Sequence, residues 1–295
     1  KEKPFSKYQI LANAVMIIWT LAIILPFILL FMSSITDENT LVANGYSFFP
    51  KKFSLASYSY IIKSGGQILK AYGVSIGVTV VGTLLNVLLS ALMAYPLSVK
   101  NLPGRNVMMF FVFFTMLFNG GIVPSYIMWT GTFHIKDTIF AQLLPNFLLS
   151  AWNVMMIRTY FTTSIPDGLY EAAEIDGASQ FTIFWKIVLP LGKPILVTMG
   201  TFAGLAYWND WTNGLYYIVK NTGLYNVQNL LNQMVQNIQF LTQSSNSNVT
   251  AAASTIPATG IQMAIAFVAI LPIMLIFPSF QKYYAKGIAL GAVKG

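Results

Sequence analysis

Long apolar blocks separated by short polar ones set the pattern of this chain. The blocks run at about 10–31, 72–97, 107–129, 138–157, 194–215 and 260–280. None alternates apolar with polar at every second position, so each predicts a helix rather than a barrel strand. Each reaches or approaches the roughly 20 residues that cross about 30 Å of hydrocarbon. Lipid offers a backbone amide no partner, and a helix closes its own N–H and C=O groups. The fifth block is the least continuous, because Gly192, Gly200, Gly204 and the polar pair Asn209-Asp210 interrupt it. The pattern predicts an all-α integral membrane protein with six transmembrane helices, forming a single transmembrane domain over residues 1–295.

Composition strengthens that reading. Hydrophobic residues make up 56% of the chain and charged residues 9%, where a soluble domain carries about a quarter charged. The first block is longer than a signal-peptide core of about 7–15 residues and lacks a small-residue cleavage pattern, so it is expected to stay as a helix. With no cysteine, disulfides and thiol ligands are excluded. The net charge of +8 is spread along the flanks of apolar blocks, where anionic headgroups account for it, and calls for no nucleic acid. Eleven Lys and Arg fall on the side shared by the two termini and six on the other. Positive residues resist translocation, so both termini are expected in the cytoplasm.

Between the first two blocks, Leu55, Tyr58, Ile61 and Ile62 predict a short interfacial helix. The polar stretch 216–259 predicts an outer loop, with 243–255 mobile. Residues 164–190 predict a cytoplasmic helix-turn-helix between the fourth and fifth spans. Ser164 is placed to cap its first helix, Pro166 to open the first turn and Asp167 to complete a capping box. That helix is expected to run to about Asp176, with Gly177 making the turn. A second helix from near Ser179 would carry Phe181, Phe184, Trp185 and Val188 on its apolar side and end at Pro190.

This elbow reads Glu171-Ala172-Ala173, then Asp176-Gly177, then Ile187-Val188-Leu189-Pro190. It resembles the EAA loop of permease subunits of bacterial ABC importers, through which an ATPase subunit drives the membrane part. Glu171, Ala172, Ala173, Asp176, Gly177, Ile187, Leu189 and Pro190 are the coupling residues that the resemblance implies. The chemistry suits a grip: small alanines allow close approach, and a carboxylate offers a charge-assisted contact. The order of spans from about residue 7 to 295 resembles the smaller permease of oligosaccharide-type importers, the group with the maltose permease pair. Asn119 to Tyr126 and Ile165 to Ala173 resemble the LplC-like or YtcP-like branch, imputed to polysaccharide fragments. The ending Gly291, Ala292, Val293, Lys294, Gly295 is similar to that family's tail, which in relatives reaches between the ATPase subunits.

The resemblance implies a bacterial cell-membrane complex: a second homologous permease subunit, two ATPase subunits, an extracellular solute-binding lipoprotein and an oligosaccharide substrate. It implies no cofactor on this chain, with ATP and Mg on the partner ATPase. No Gly-x-x-x-x-Gly-Lys-Ser/Thr phosphate loop occurs, since Leu191-Gly192-Lys193-Pro194 lacks the first Gly and the hydroxyl. A stand-alone secondary carrier or channel is the alternative. Ion-coupled carriers need ionisable groups at mid-membrane, each costly there, and the blocks supply only Asp210 near an outer boundary. The absence of an internal repeat also counts against it. A catalytic cluster for a membrane-embedded enzyme is lacking too.

Tyr207, Trp208, Asn209, Asp210 and Trp211 resemble the Trp-Asn-acidic-aromatic run of sugar permeases, and sugars suit rings beside neutral amides. The same residues read equally as an interfacial aromatic belt. Asn153 is a further path candidate, alongside Asn86, Asn119 and Asn146, although interhelical hydrogen bonding is the commoner use of such amides. The lone His134 reads as a solvated loop residue, so no metal site is expected.

Overall fold

A computed structural model describes residues 7–63, 65–243 and 258–292. It is almost wholly helical, and among the described residues the only bridge is an isolated antiparallel pair, Thr36 with Phe53. The helices are α1 Lys7–Ser34, α2 Glu38–Asn44, α3 Ala56–Lys63 and α4 Gly65–Ser98, then α5 Arg105–Leu117, α6 Ile122–Thr132, α7 Phe140–Leu143 and α8 Ala151–Ser164. The chain continues with α9 Asp167–Ile175, α10 Gln180–Leu191, α11 Lys193–Asn209 and α12 Thr212–Tyr217. It ends with α13 Val227–Gln243 and α14 Ala258–Ala292. Contacts divide it into two compact units, Lys1–Ile68 with Leu230–Ile273, and Leu69–Asn229 with Met274–Gly295.

Among the described residues, three helices are long and apolar enough to cross a membrane alone, at Tyr8–Ser34, Gly65–Ser98 and Thr259–Ile276. Two further pairs qualify only as bent units: α5 with α6 at 109°, and α10 with α11 at 79°. The block expected at 138–157 is not one helix, because it breaks between α7 and α8. Pro145 has no N–H to donate to the preceding turn and its ring crowds that turn's carbonyl, and Asn146 adopts a left-handed φ of 68°.

In the first unit, α3 forms where the apolar spacing places it. Ile61 packs with Ile261, Ala264 and Ile265 of α14, and Tyr58 Oη lies 2.8 Å from Ser34 Oγ. The start of α14 is held by Glu38, whose carboxylate accepts from Thr259 N and Gly260 N at 2.9 and 2.8 Å. That satisfies two of the orphan donors every helix start presents. The stretch expected as an outer loop contains the 17-residue helix α13. Val227, Leu230, Leu231 and Met234 recur on one face of it, and the high Asn and Gln content around them masks that period. The expectation of a mobile 243–255 falls almost wholly outside the described residues.

The second unit has its core at one end of α4. Ala91, Ala94, Tyr95 and Leu97 meet Val154, Ile157 and Phe161 of α8, and Ile183, Phe184 and Val188 of α10. Ile195 and Met199 of α11 complete it. The elbow is therefore seated on packed helix ends.

Candidate functional site

Helix α9 begins after Pro166, not at Ser164, which is the last residue of α8. The cap makes no side-chain hydrogen bond. Asp167 sits in the first turn, favourable to the helix dipole, and its Oδ2 lies 2.5 Å from Lys100 Nζ. Both side chains are more than half exposed, so this pair adds at most about 1 kcal/mol.

At the other end, Gly177 takes φ 75°, a left-handed conformation that only glycine enters cheaply. Ala178 N donates to Ala173 O and Gly177 N to Glu174 O, at 2.9 and 3.0 Å. These two bonds are the Schellman closure of a helix. Ser179 then caps α10, its Oγ accepting from Thr182 N at 3.2 Å. The bend is locked from inside: Glu174 Oε1 accepts from Gln180 Nε2 at 2.7 Å, and Gln180 Oε1 accepts from Tyr95 Oη at 2.5 Å. Tyr95 stacks on Tyr170 and meets Phe184. Tyr95 and Gln180 thus tie the elbow to the end of α4. Neither belongs to the EAA pattern, and a tyrosine at a span end reads in sequence as an interfacial anchor.

The second helix ends within one residue of the expected Pro190. A π-turn over Phe184–Val188 precedes it, widening the coil where the proline lacks a donor and its ring needs room. Helix α10 then runs to Leu191 and bends by 79° into α11 across Gly192. The apolar residues divide between two faces. Ile183, Phe184 and Val188 are buried, while Phe181 and Trp185 are exposed with their rings 6.0 Å apart.

The eight EAA positions likewise separate. Glu171, Ala172, Asp176 and Gly177 face outward, and Pro190 is exposed. Ala173 is buried, and Ile187 and Leu189 pack on the core. Beside the outward group stands Ile175, an isoleucine left 85% exposed, which belongs to the same outer edge although sequence reasoning did not single it out. Of the tail, Gly291 lies in the last turn of α14, and Val293, Lys294 and Gly295 are outside the described residues.

The break between α7 and α8 frees backbone carbonyls, and three of them are met by side chains from other helices. Leu143 O accepts from Tyr207 Oη at 2.9 Å, Pro145 O from Asn213 Nδ2 at 3.1 Å, and Phe147 O from Asn86 Nδ2 at 2.6 Å. Asn153 Nδ2 donates to Asn86 Oδ1 at 2.7 Å. Non-helical backbone at membrane depth is tolerated only where such partners exist. Asp210 stands at the start of α12, where its Oδ1 accepts from Thr212 N, Thr212 Oγ1 and Asn213 N at 3.0, 2.7 and 3.3 Å. Its carbonyl accepts from Asn226 Nδ2 at 2.7 Å. Gln142 donates to Asn229 Oδ1 at 3.2 Å, and Asn229 donates to Trp211 O. Of the six path candidates, Tyr207, Trp208, Asp210 and Asn153 are buried, while Asn209 and Trp211 are exposed.

A second tie lies at the far end from the elbow. Asp137 Oδ1 accepts from Val219 N and Lys220 N at 2.7 Å and from Asn221 N at 3.2 Å. The Lys220 N–H above all, helped by its neighbours, holds this carboxyl below the usual aspartate range against a smaller opposing desolvation. A depressed value means that the contribution is complete above the unfolded pKa of about 3.9 and is lost as pH falls through the lower folded one. Asp137→Ala is expected to lower hydrogen-exchange protection at Val219, Lys220 and Asn221 at pH 7, and acidification through the lowered pKa of Asp137 to do the same in the unaltered chain. Unchanged exchange would remove the assigned role.

An apolar helical chain, an elbow seated on span ends and a discontinuous span with satisfied carbonyls together define a polytopic transport subunit. The chain matches the family described as binding-protein-dependent transport system inner membrane component over residues 71–290, and it belongs to that family. It is 36% identical to protein LplC of Bacillus subtilis, covering 92% of this chain and 90% of that one. It is 36% identical to the polygalacturonan/rhamnogalacturonan transport system permease protein YtcP of the same organism, covering 98% of each. A solved bacterial ABC transporter involved in the import of the acidic polysaccharide alginate has a chain that matches with a TM-score of 0.79 and 26% identity, over 96% of this chain and all of that one. This chain is thus an ABC permease subunit of an inner-membrane system and not an enzyme, and the ATPase is a separate subunit.

Proposed function

We propose that this chain is one of two permease halves of an ATP-driven importer for oligosaccharide or polysaccharide fragments carrying acidic sugars. Two ATPase subunits and an extracellular binding lipoprotein complete it. The observation that carries the reading is the continuity of the elbow with the fifth span, in which α10 passes into α11 with no loop between them. A push on the outward edge at Glu171, Ala172, Ile175 and Asp176 reaches α11 through packed helix. In this reading the chain crosses the membrane six times with both termini in the cytoplasm, and the tail beyond Gly291 contacts the ATPases.

The choice of acidic cargo rests on the names of YtcP and of the alginate importer, and on charge. At the end of the second unit away from the elbow, the charge of Asp137 is spent on three N–H groups and Asp210 is buried. Lys136 and Lys220 stay exposed there, a field that attracts polyanions. Asn209 and Trp211 are the residues free to touch sugar, and Tyr207, Trp208, Asp210 and Asn153 hold the frame around them.

Uptake by the assembled complex tests the cargo. Oligogalacturonides are expected to compete for transport at least tenfold better than the same oligomers fully methyl-esterified, which keep shape and lose charge. Equal competition would overturn the acidic assignment and leave a neutral sugar.

A further inference from the structure

At the end of α4 remote from the elbow the second unit carries an open trough of about 450 Å³. Its floor follows α4 from Lys70 through Val74 and Val78 to Val81, and Ile139 and Leu143 form a wall. The eleven helical rises from Lys70 to Val81 make this stripe about 16 Å long. Gly73 and Gly77 also face the trough, and a Cβ built on either meets nothing within 4 Å. Packing inside the chain does not demand glycine at these two positions. The missing side chains leave the trough empty of protein.

The chemistry of the lining narrows the occupant. Apart from Lys70, every side chain facing the trough is aliphatic, with no hydroxyl, amide or ring. A sugar placed here would give up hydrogen bonds to water and receive none. An extended hydrocarbon chain is slender enough to lie along such a stripe and is fully compatible with its aliphatic lining. At the polar limit stands Lys70, exposed and outside both ion pairs found among the described residues. An ammonium at the end of an apolar slot complements a phosphate joined to an acyl chain.

We propose that this trough binds one acyl chain of an anionic phospholipid, in the leaflet away from the elbow, with the headgroup phosphate on Lys70. The lipid then bears on the discontinuous span. Leu143, which forms part of the wall, is also the residue whose carbonyl accepts from Tyr207 Oη, so an occupied trough braces the broken segment from outside. The site does not depend on which solute is carried.

The assembled complex, extracted in mild detergent and analysed by native mass spectrometry after incubation with phosphatidylglycerol or phosphatidylcholine vesicles, tests this. The unaltered chain is expected to retain one phosphatidylglycerol. Gly77→Leu, whose Cβ meets no atom within 4 Å and whose branches extend into the trough, is expected to lower that retention at least tenfold with its melting temperature unchanged. Lys70→Gln is expected to keep a bound lipid but to lose at least fivefold of the preference for phosphatidylglycerol over phosphatidylcholine. Equal retention by all three proteins would overturn the site. So would a Gly77→Cys variant that crosslinks to a neighbouring polypeptide, or one whose labelling is blocked by oligosaccharide, because either result gives the trough to another occupant.

Discussion

Gly177→Pro is expected to cut ATP-driven uptake at least twentyfold while the chain still inserts and assembles. Proline fixes φ near −65°, but position 177 requires φ 75°. The substitution also deletes the N–H that donates to Glu174 O at 3.0 Å. The turn must open, and with it go the Glu174–Gln180 contact and the anchorage of Gln180 on Tyr95. The core under α10 does not include Gly177, so the membrane part should keep its fold. Gly177→Ala sets the scale: strain in the left-handed region costs about 1–2 kcal/mol, so activity should be partly retained. Uptake and ATPase activity of the purified complex, measured beside its membrane abundance, separate the outcomes. Normal uptake by Gly177→Pro would remove the elbow from the coupling path.

Gly82→Leu is expected to give the largest loss of stability. Gly82 is buried in α4, and a Cβ there overlaps the ring of Tyr207, itself only 2% exposed. Helices pack this closely in membranes by placing small residues at the contact, and Gly200 and Gly204 of α11 lie against Val87 and Thr83 in the same way. The added side chain overpacks the contact, at about 1–3 kcal/mol. It also pushes Tyr207 Oη from Leu143 O, leaving a buried carbonyl unpaired at about 1–3 kcal/mol more. The melting temperature of the detergent-solubilised chain should fall by roughly 5–15 °C. Tyr207→Phe, which removes only the hydroxyl, should fall less, and Gly82→Leu combined with Tyr207→Ala should be less than additive. A Gly82→Leu protein that melts with the unaltered one would mean that α4 and α11 do not meet at this point.

Hydropathy sufficed for the helical class and for the places where apolar segments lie, since both follow from block length and composition. The turn at Gly177 was readable because a left-handed residue at a helix end has one cheap solution. The breaks were harder. Pro145 sits within an apolar run that continues on both sides, so hydropathy alone merges α7 and α8, and the cost of the break is hidden because Tyr207, Asn213 and Asn86 cover the freed carbonyls from far away in sequence. Pro190 marked the end of the second helix to within one residue, since α10 stops at Leu191, but the π-turn before it, which gives the proline ring its room, is announced by no local residue preference. Aromatic clustering at 207–211 could not separate frame from surface. That division depends on which side chains face the interrupted segment, a fact of packing and not of order along the chain.

The junction at Gly192 also bears on leverage. With no slack between α10 and α11, a tilt of the inner limb becomes a tilt of the outer one. Helix α11 has 17 residues and is therefore about 25 Å long, so a rotation of about 10° at its foot sweeps its tip through about 4 Å. Asn209 ends that arm, and the corner at Asp210 fastens the tip to α12. Under the proposed docking and path, a small stroke at the edge holding Ile175 is thereby magnified at Asn209, and the 79° bend sets the direction of the sweep.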